Sequence, residues 1–378
     1  MRKNSKKRSQ RQKTRRSSPR STAPSASKGG PVTLAQAKAL ARMQVIRPKS
    51  GMRRRALPKG QVVAVPGTEP PASLRNVAHE RKKLHEQYKR EHEERIREYT
   101  ATMKIMKKRG VKGLTPASPR RAPGAEATVM AAARPLQIFA EGDSWFDYPV
   151  PLFGGGIITR LEKLVGLPIL NLAKAGDEVR FMMGVQERKV VAEQLRKGCP
   201  AGGPWDALLF SGGGNDVVDN PMALWVKDFD PAIPVANHID QIRFNAVLTL
   251  LRAGYEDLIA MRDSLSPTTH LVFHAYDFAI PDGRGICGFG PWLKPTFDLR
   301  GFPRQQDAFE VVKVMLQQFA ALLQSLVRPG VTFINAQATL SPQRSSWHNE
   351  LHPAKAGFDS FARMFYEHLR VTFPGRVL

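Results

Sequence analysis

From Arg134 onward, short apolar runs alternate with longer amphipathic stretches, and this rhythm constrains the chain more than any other feature: it is the pattern of an α/β domain with a parallel sheet. The runs Leu136–Ala140, Ile169–Leu172, Ala207–Ser211, His270–His274 and Val331–Asn335 predict strands. Helices are predicted around Gly156–Leu164, Glu178–Arg196, Ile239–Ser264 and Gln306–Leu326, with a last one near Ala356–Leu369. No internal repeat is visible.

The residues before this domain have a different character. Residues 1–130 hold 34 Lys/Arg against 8 Asp/Glu, whereas 131–378 hold 24 against 25, so a near-neutral body follows a strongly cationic segment. Residues 1–60 contain no Asp or Glu and are dense in Ser, Pro, Lys and Arg, too poor in apolar surface to offset chain entropy. Residues 1–72 are therefore expected to form a disordered basic arm, with a short helix over Leu34–Met43 at most. Such an arm suits nonspecific, salt-sensitive contact with nucleic acid or another anionic surface, a membrane face included, through residues 1–60. Without interleaved aromatics it offers no base stacking.

Residues 73–109 lack Pro and Gly and carry opposite charges three and four apart, which predicts a charged helix. Leu74, Val77, Leu84, Tyr88, Ile96, Tyr99, Met103 and Met106 form a thin apolar stripe with a break in its register, compatible with a coiled coil or with docking on the body. The Gly/Pro/Ala-rich residues 110–133 read as a linker. The two cysteines, Cys199 and Cys287, are too few for a disulfide framework. No run near the N-terminus suits a signal peptide, and none approaches the roughly 18 apolar residues of a membrane span, so a cytoplasmic location is expected.

In open α/β sheets, ligands gather at the carboxyl ends of the strands, so the loop after each strand is where chemistry is sought. After the first stands Glu141-Gly142-Asp143-Ser144-Trp145, where Gly142 gives the backbone room to turn and Ser144 can present its hydroxyl above the sheet. The competing reading of such a Ser is a helix cap or turn residue. Gly176 follows the second strand, and Ser211-Gly-Gly-Gly-Asn215-Asp216 follows the third. The Gly176 N–H and the Asn215 amide, with the N–H of Ser144, are the donors a tetrahedral oxyanion needs. Near the C-terminus, His352 precedes Pro353 and a predicted helix, well placed to serve as general base.

These blocks in this order resemble the SGNH/GDSL hydrolase superfamily over about residues 135–370, with its four marks on Ser144, Gly176, Asn215 and His352. The resemblance implies a flavodoxin-like three-layer αβα sandwich with a parallel sheet over 134–378. It also implies Ser144 as nucleophile, His352 as base, and an oxyanion hole from Ser144, Gly176 and Asn215. The expected substrate is a small-molecule, glycan or lipid ester, and the chemistry calls for no cofactor. One position departs from the family: its usual Asp, three residues before the His, is Asn349 here, with Glu350 adjacent. Three outcomes stay open: Asn349 orients the His, Glu350 substitutes for the carboxylate, or activity is weakened. The first is favoured, as in Cys-His-Asn proteases.

His348 and His352 do not make a zincin helix, because Glu350 is out of place and Pro353 interrupts, so no metal site is expected. Neither a phosphate loop nor a GxSxG nucleophile elbow is present. The Gly-, Pro- and aromatic-rich stretch Ala275–Pro303 reads either as a substrate wall or as a crossover covering the core. On the first reading Tyr276, Phe289, Trp292 and Phe297 line an acyl or aryl pocket, and Asp143, Trp145, Tyr276 and Trp292 are taken as substrate contacts.

Overall fold

A computed structural model describes residues 31–46, 72–110, 135–149, 154–286 and 288–377. Five parallel strands, β1 (Ile138–Gly142), β2 (Ile169–Asn171), β3 (Ala207–Ser211), β4 (His270–His274) and β5 (Val331–Ile334), form one sheet in the order β2-β1-β3-β4-β5. This is the doubly wound, flavodoxin-like order that the resemblance implies, and its direction reverses between β1 and β3. The central strands β1 and β3 are buried along their whole length, as helices on both faces require. On one face lie α3 (Ile157–Val165) and α10 (Lys355–Thr372), packed on each other. On the other lie α5 (Glu187–Lys197), α7 (Gln241–Leu265) and α9 (Gln305–Gln324).

Two predicted boundaries moved for identifiable reasons. β1 runs two residues beyond the apolar run, because Glu141 enters the strand fully buried, and burial pushes its carboxyl up to about 8. The helix predicted over Glu178–Arg196 divides into α4 (Val179–Met182) and α5, with Gly184 in the break. Two short helices carry no strong sequence signal, α6 (Gly214–Val217) and α8 (Lys294–Leu299).

Two further helices precede the sheet. α1 (Leu34–Ile46) lies where a short helix over Leu34–Met43 was expected within the basic arm, and Val32, Ala37 and Ala41 are buried. α2 (Ala72–Arg109) packs on α1 and against β2. Its charged pairs at helical spacing contribute about 0.2–0.5 kcal/mol each. Burial of Tyr99, Met103, Ile105 and Met106 contributes about 1.5–3 kcal/mol per side chain, so apolar contact decides where the helix lies. Tyr99 stacks at a tilt on Trp205, 5.4 Å between centroids, and Lys38 of α1 pairs with Glu162 of α3 at 2.6 Å. The segments 1–30, 47–71 and 111–134 lie outside the described residues, and with them most of the expected arm and linker.

Candidate active site

The carboxyl ends of β1, β2 and β3 bring the first three sequence blocks together, and the turn before α10 brings the fourth. Gly142 ends β1 against β3: a Cβ there would sit 2.5 Å from the Ser211 carbonyl oxygen and 2.8 Å from the Ser211 Cβ, which excludes any larger residue. The following turn is capped by Asp143, whose carboxylate accepts the Trp145 N–H at 3.0 Å. Asp143 thus takes the capping task that would otherwise explain a serine here, and the Ser144 hydroxyl is left for another partner.

That partner is His352. Its Nε2 lies 2.7 Å from Ser144 Oγ, and its Nδ1 lies 2.9 Å from Asn349 Oδ1. Asn349 is fully buried, and its Oδ1 also accepts the backbone N–H groups of Leu351 and His352, at 3.0 and 2.9 Å. An amide turned the other way would point its NH₂ at those two donors, so the oxygen must face His352. It follows that Nδ1 carries the proton and Nε2 is the acceptor facing Ser144. The Asn349 Nδ2 donates to the Tyr148 hydroxyl at 3.3 Å, which lies 2.7 Å from His348 Nδ1. Burial, and secondarily His348, hold the His352 imidazole down to about 3. It is therefore neutral across the ordinary pH range and able to take a proton from Ser144.

Gly176 sits in the loop after β2 at φ +83°, a conformation glycine adopts without strain. The Asn215 side chain, in the first turn of α6, donates to the Asp177 carbonyl at 2.8 Å, which fixes the plane of its amide. Ser144, Gly176, Asn215 and His352 all border one cavity of about 440 Å³. Ile286, Phe289, Trp292 and Leu351 make its apolar wall, and among the described residues none that lines it is Asp, Glu, Lys or Arg.

Of the four residues expected to contact substrate, Trp292 borders this cavity, with its ring edge-on to His352 at 5.9 Å. Asp143, Trp145 and Tyr276 are placed otherwise. All three are buried and border a separate void of about 30 Å³ beside Ser144, room for about one water. The Asp143 carboxylate accepts hydroxyl protons from Tyr276 at 2.5 Å and Ser211 at 2.9 Å, and burial raises it to about 6. The Trp145 indole donates to the Leu351 carbonyl at 3.1 Å, tying the Ser144 turn to the His352 segment. The polar side-chain atoms of these three are engaged by other residues of the protein. Phe297 is likewise buried, against Phe302.

Glu350 is not a substitute for the missing carboxylate. Its two oxygens accept four backbone N–H groups, from Gly283 (2.9 Å), Trp292 (2.6 Å), Leu293 (2.8 Å) and Lys294 (3.0 Å). It therefore clips the cavity wall to the segment that carries His352. Tyr148, Ile286 and Leu351 also escaped the sequence reading; they come from loops, where neither periodicity nor spacing marks a side chain that turns inward. No group of three His, Cys, Asp or Glu suited to a metal ion occurs among the described residues. No helix among them is long and apolar enough to cross a membrane.

No family model matches this chain, and neither does any curated protein. It is similar in fold to several solved structures. One is a lipase from a goat rumen metagenome, 17% identical over 61% of this chain and 96% of that one, with a TM-score of 0.42. A second is an extracellular lipase of Streptomyces rimosus, 13% identical over 61% and 99%, at 0.40. A third is a family 3 carbohydrate esterase of Clostridium thermocellum, 15% identical over 64% and 100%, at 0.35.

Proposed function

We propose that this protein hydrolyses carboxylic esters through an acyl-enzyme on Ser144. His352 Nε2 takes the proton of Ser144 as Oγ attacks the ester carbonyl, and returns it to the leaving alcohol as the C–O bond breaks. A water then attacks the acyl-enzyme by the same route in reverse, releasing the acid and restoring Ser144. The Ser144 and Gly176 N–H groups and the Asn215 amide hold the oxyanion in both halves. The observation that carries this reading is the 2.7 Å contact of Ser144 Oγ with an imidazole whose acceptor nitrogen faces it, at the edge of an open cavity. The apolar, uncharged lining favours a neutral ester with an acyl or aryl group over a polyol or an anionic substrate.

Turnover of p-nitrophenyl esters by purified protein tests this. Wild type is expected to be active, Ser144→Ala and His352→Ala to lose activity to the background rate, and Asn215→Ala to lose about 10²–10³ in kcat, the cost of one oxyanion donor. Retention of wild-type kcat by Ser144→Ala would overturn the assignment.

A further inference from the structure

The break in the apolar stripe of α2 falls between Tyr88 and Ile96, and in the structure two polar residues, His92 and Arg95, occupy it on the same face. Both reach into the active-site loops. Arg95 Nη1 donates to the carbonyls of Asn171 at 3.2 Å and Ala173 at 2.7 Å, while Nη2 donates to the Asp147 carboxylate at 2.9 Å. The buried His92 Nε2 lies 3.1 Å from the carbonyl of Leu172, between those two residues. One turn earlier, the Tyr88 ring lies 4.1 Å from Lys174 Nζ. Helix α2 thus holds four successive residues, 171–174, just ahead of Gly176.

Both ends of the Arg95 guanidinium meet the site. Asp147 belongs to the Ser144 turn, where its own N–H donates to the Asp143 carbonyl at 3.0 Å. The loop held through Asn171 and Ala173 carries Gly176, and its Asp177 carbonyl fixes the Asn215 amide. A planar guanidinium with five donors in fixed geometry sets a distance between two loops, which a flexible point charge does not.

We propose that Arg95 is a positioning residue for the reaction, holding the nucleophile turn and the oxyanion loop at fixed separation, so that α2 is a working part of the active site. This rests on the reading of Ser144 and Gly176 given above. Misplacing a reacting group by about 1 Å can cost about 100-fold in rate.

The test uses the full chain with p-nitrophenyl acetate, together with the inhibition constants of phenylboronic acid, which forms a tetrahedral adduct with a reactive serine, and of p-nitrophenyl ethyl ether, an unreactive isostere. In Arg95→Met, kcat is expected to fall about 10- to 100-fold. Boronic acid binding weakens in parallel, while KM and ether binding stay within about twofold, because only transition-state complementarity is lost. Arg95→Lys restores part of the loss, and Tyr88→Leu lowers kcat several-fold. Wild-type kcat in folded Arg95→Met, or equal weakening of boronic acid and ether, would overturn the proposal. Should Arg95→Met not fold, unchanged kcat in both Arg95→Lys and Tyr88→Leu would overturn it equally. An inactive wild type would instead refute the reading of Ser144, and this proposal with it.

Discussion

Asn349 stands where a carboxylate would give His352 a charged partner, and its effect can be separated into orientation and charge. Orientation is retained, since two backbone N–H groups and the Tyr148 hydroxyl hold the amide with its oxygen toward Nδ1. In a serine protease, replacing the Asp by Asn costs about 10⁴ in kcat because the imidazole takes the wrong tautomer; here the amide oxygen faces Nδ1 and holds the proton on that nitrogen. Charge is what is missing. With His352 held near 3, the free base persists to low pH, so activity is lost only as pH falls through that value and kcat/KM stays level between pH 8 and 5. Asn349→Asp places a carboxylate at the Nδ1 proton. A contact of about 4 Å at an effective dielectric of 20 is worth about 4 kcal/mol, or about 3 pK units. The acid limb should therefore move up toward pH 6, and kcat at pH 8 should rise about tenfold or more as the imidazolium gains a counter-charge. A pH–rate profile checks both; a slower Asn349→Asp enzyme with an unmoved limb would contradict this account. That Ser144, Gly176, Asn215 and His352 would meet at one cavity was legible because each stands in a local block after a strand or before a helix. Tyr148 was not, because its role depends on residues some 200 positions away.

Among the elements, the loop between β4 and α9 depends on one side chain. Its composition read equally as a wall or a crossover, and the structure gives it both tasks: Ile286, Phe289 and Trp292 line the cavity while Leu293 and Phe297 enter the core. Glu350 joins the two by accepting two N–H groups on each oxygen. In Glu350→Gln one acceptor becomes an NH₂ facing two donors, leaving buried groups unsatisfied at about 1–3 kcal/mol each. The wall should loosen, so that KM for p-nitrophenyl octanoate rises about tenfold and KM for the acetate much less. Equal loss of kcat on both esters would instead assign the Glu350 carboxylate to the chemistry. Helix α2 shows the same division between what sequence reveals and what it hides. Its apolar stripe pointed to docking as one option, but the surface that receives it is assembled from α1, β2, the loop after β2 and the residues before β3, which no local pattern reveals.

Across the whole molecule, the alternation of apolar and amphipathic stretches was enough to give the strands, their parallel sense and the layering. A right-handed crossover rule and a two-faced sheet leave few alternatives. The divided helix over 179–197 and the extension of β1 through Glu141 were hidden because a glycine break and a buried carboxyl contradict local preference. The charge asymmetry read from the sequence is a division of composition, and two helices on its basic side, α1 and α2, are among the described residues. α1 and α2 belong with the sheet, and their buried residues join its core. The site then depends on pieces as distant as Arg95 and His352, brought to one sheet edge by the fold. The most direct test of that convergence is intact-mass analysis after exposure to a fluorophosphonate, with peptide mapping of the adduct. One adduct on Ser144, absent from Ser144→Ala and much slower to form in His352→Ala, is the predicted result. Folded wild-type protein that stays unlabelled, or carries the adduct on another residue, would contradict the account.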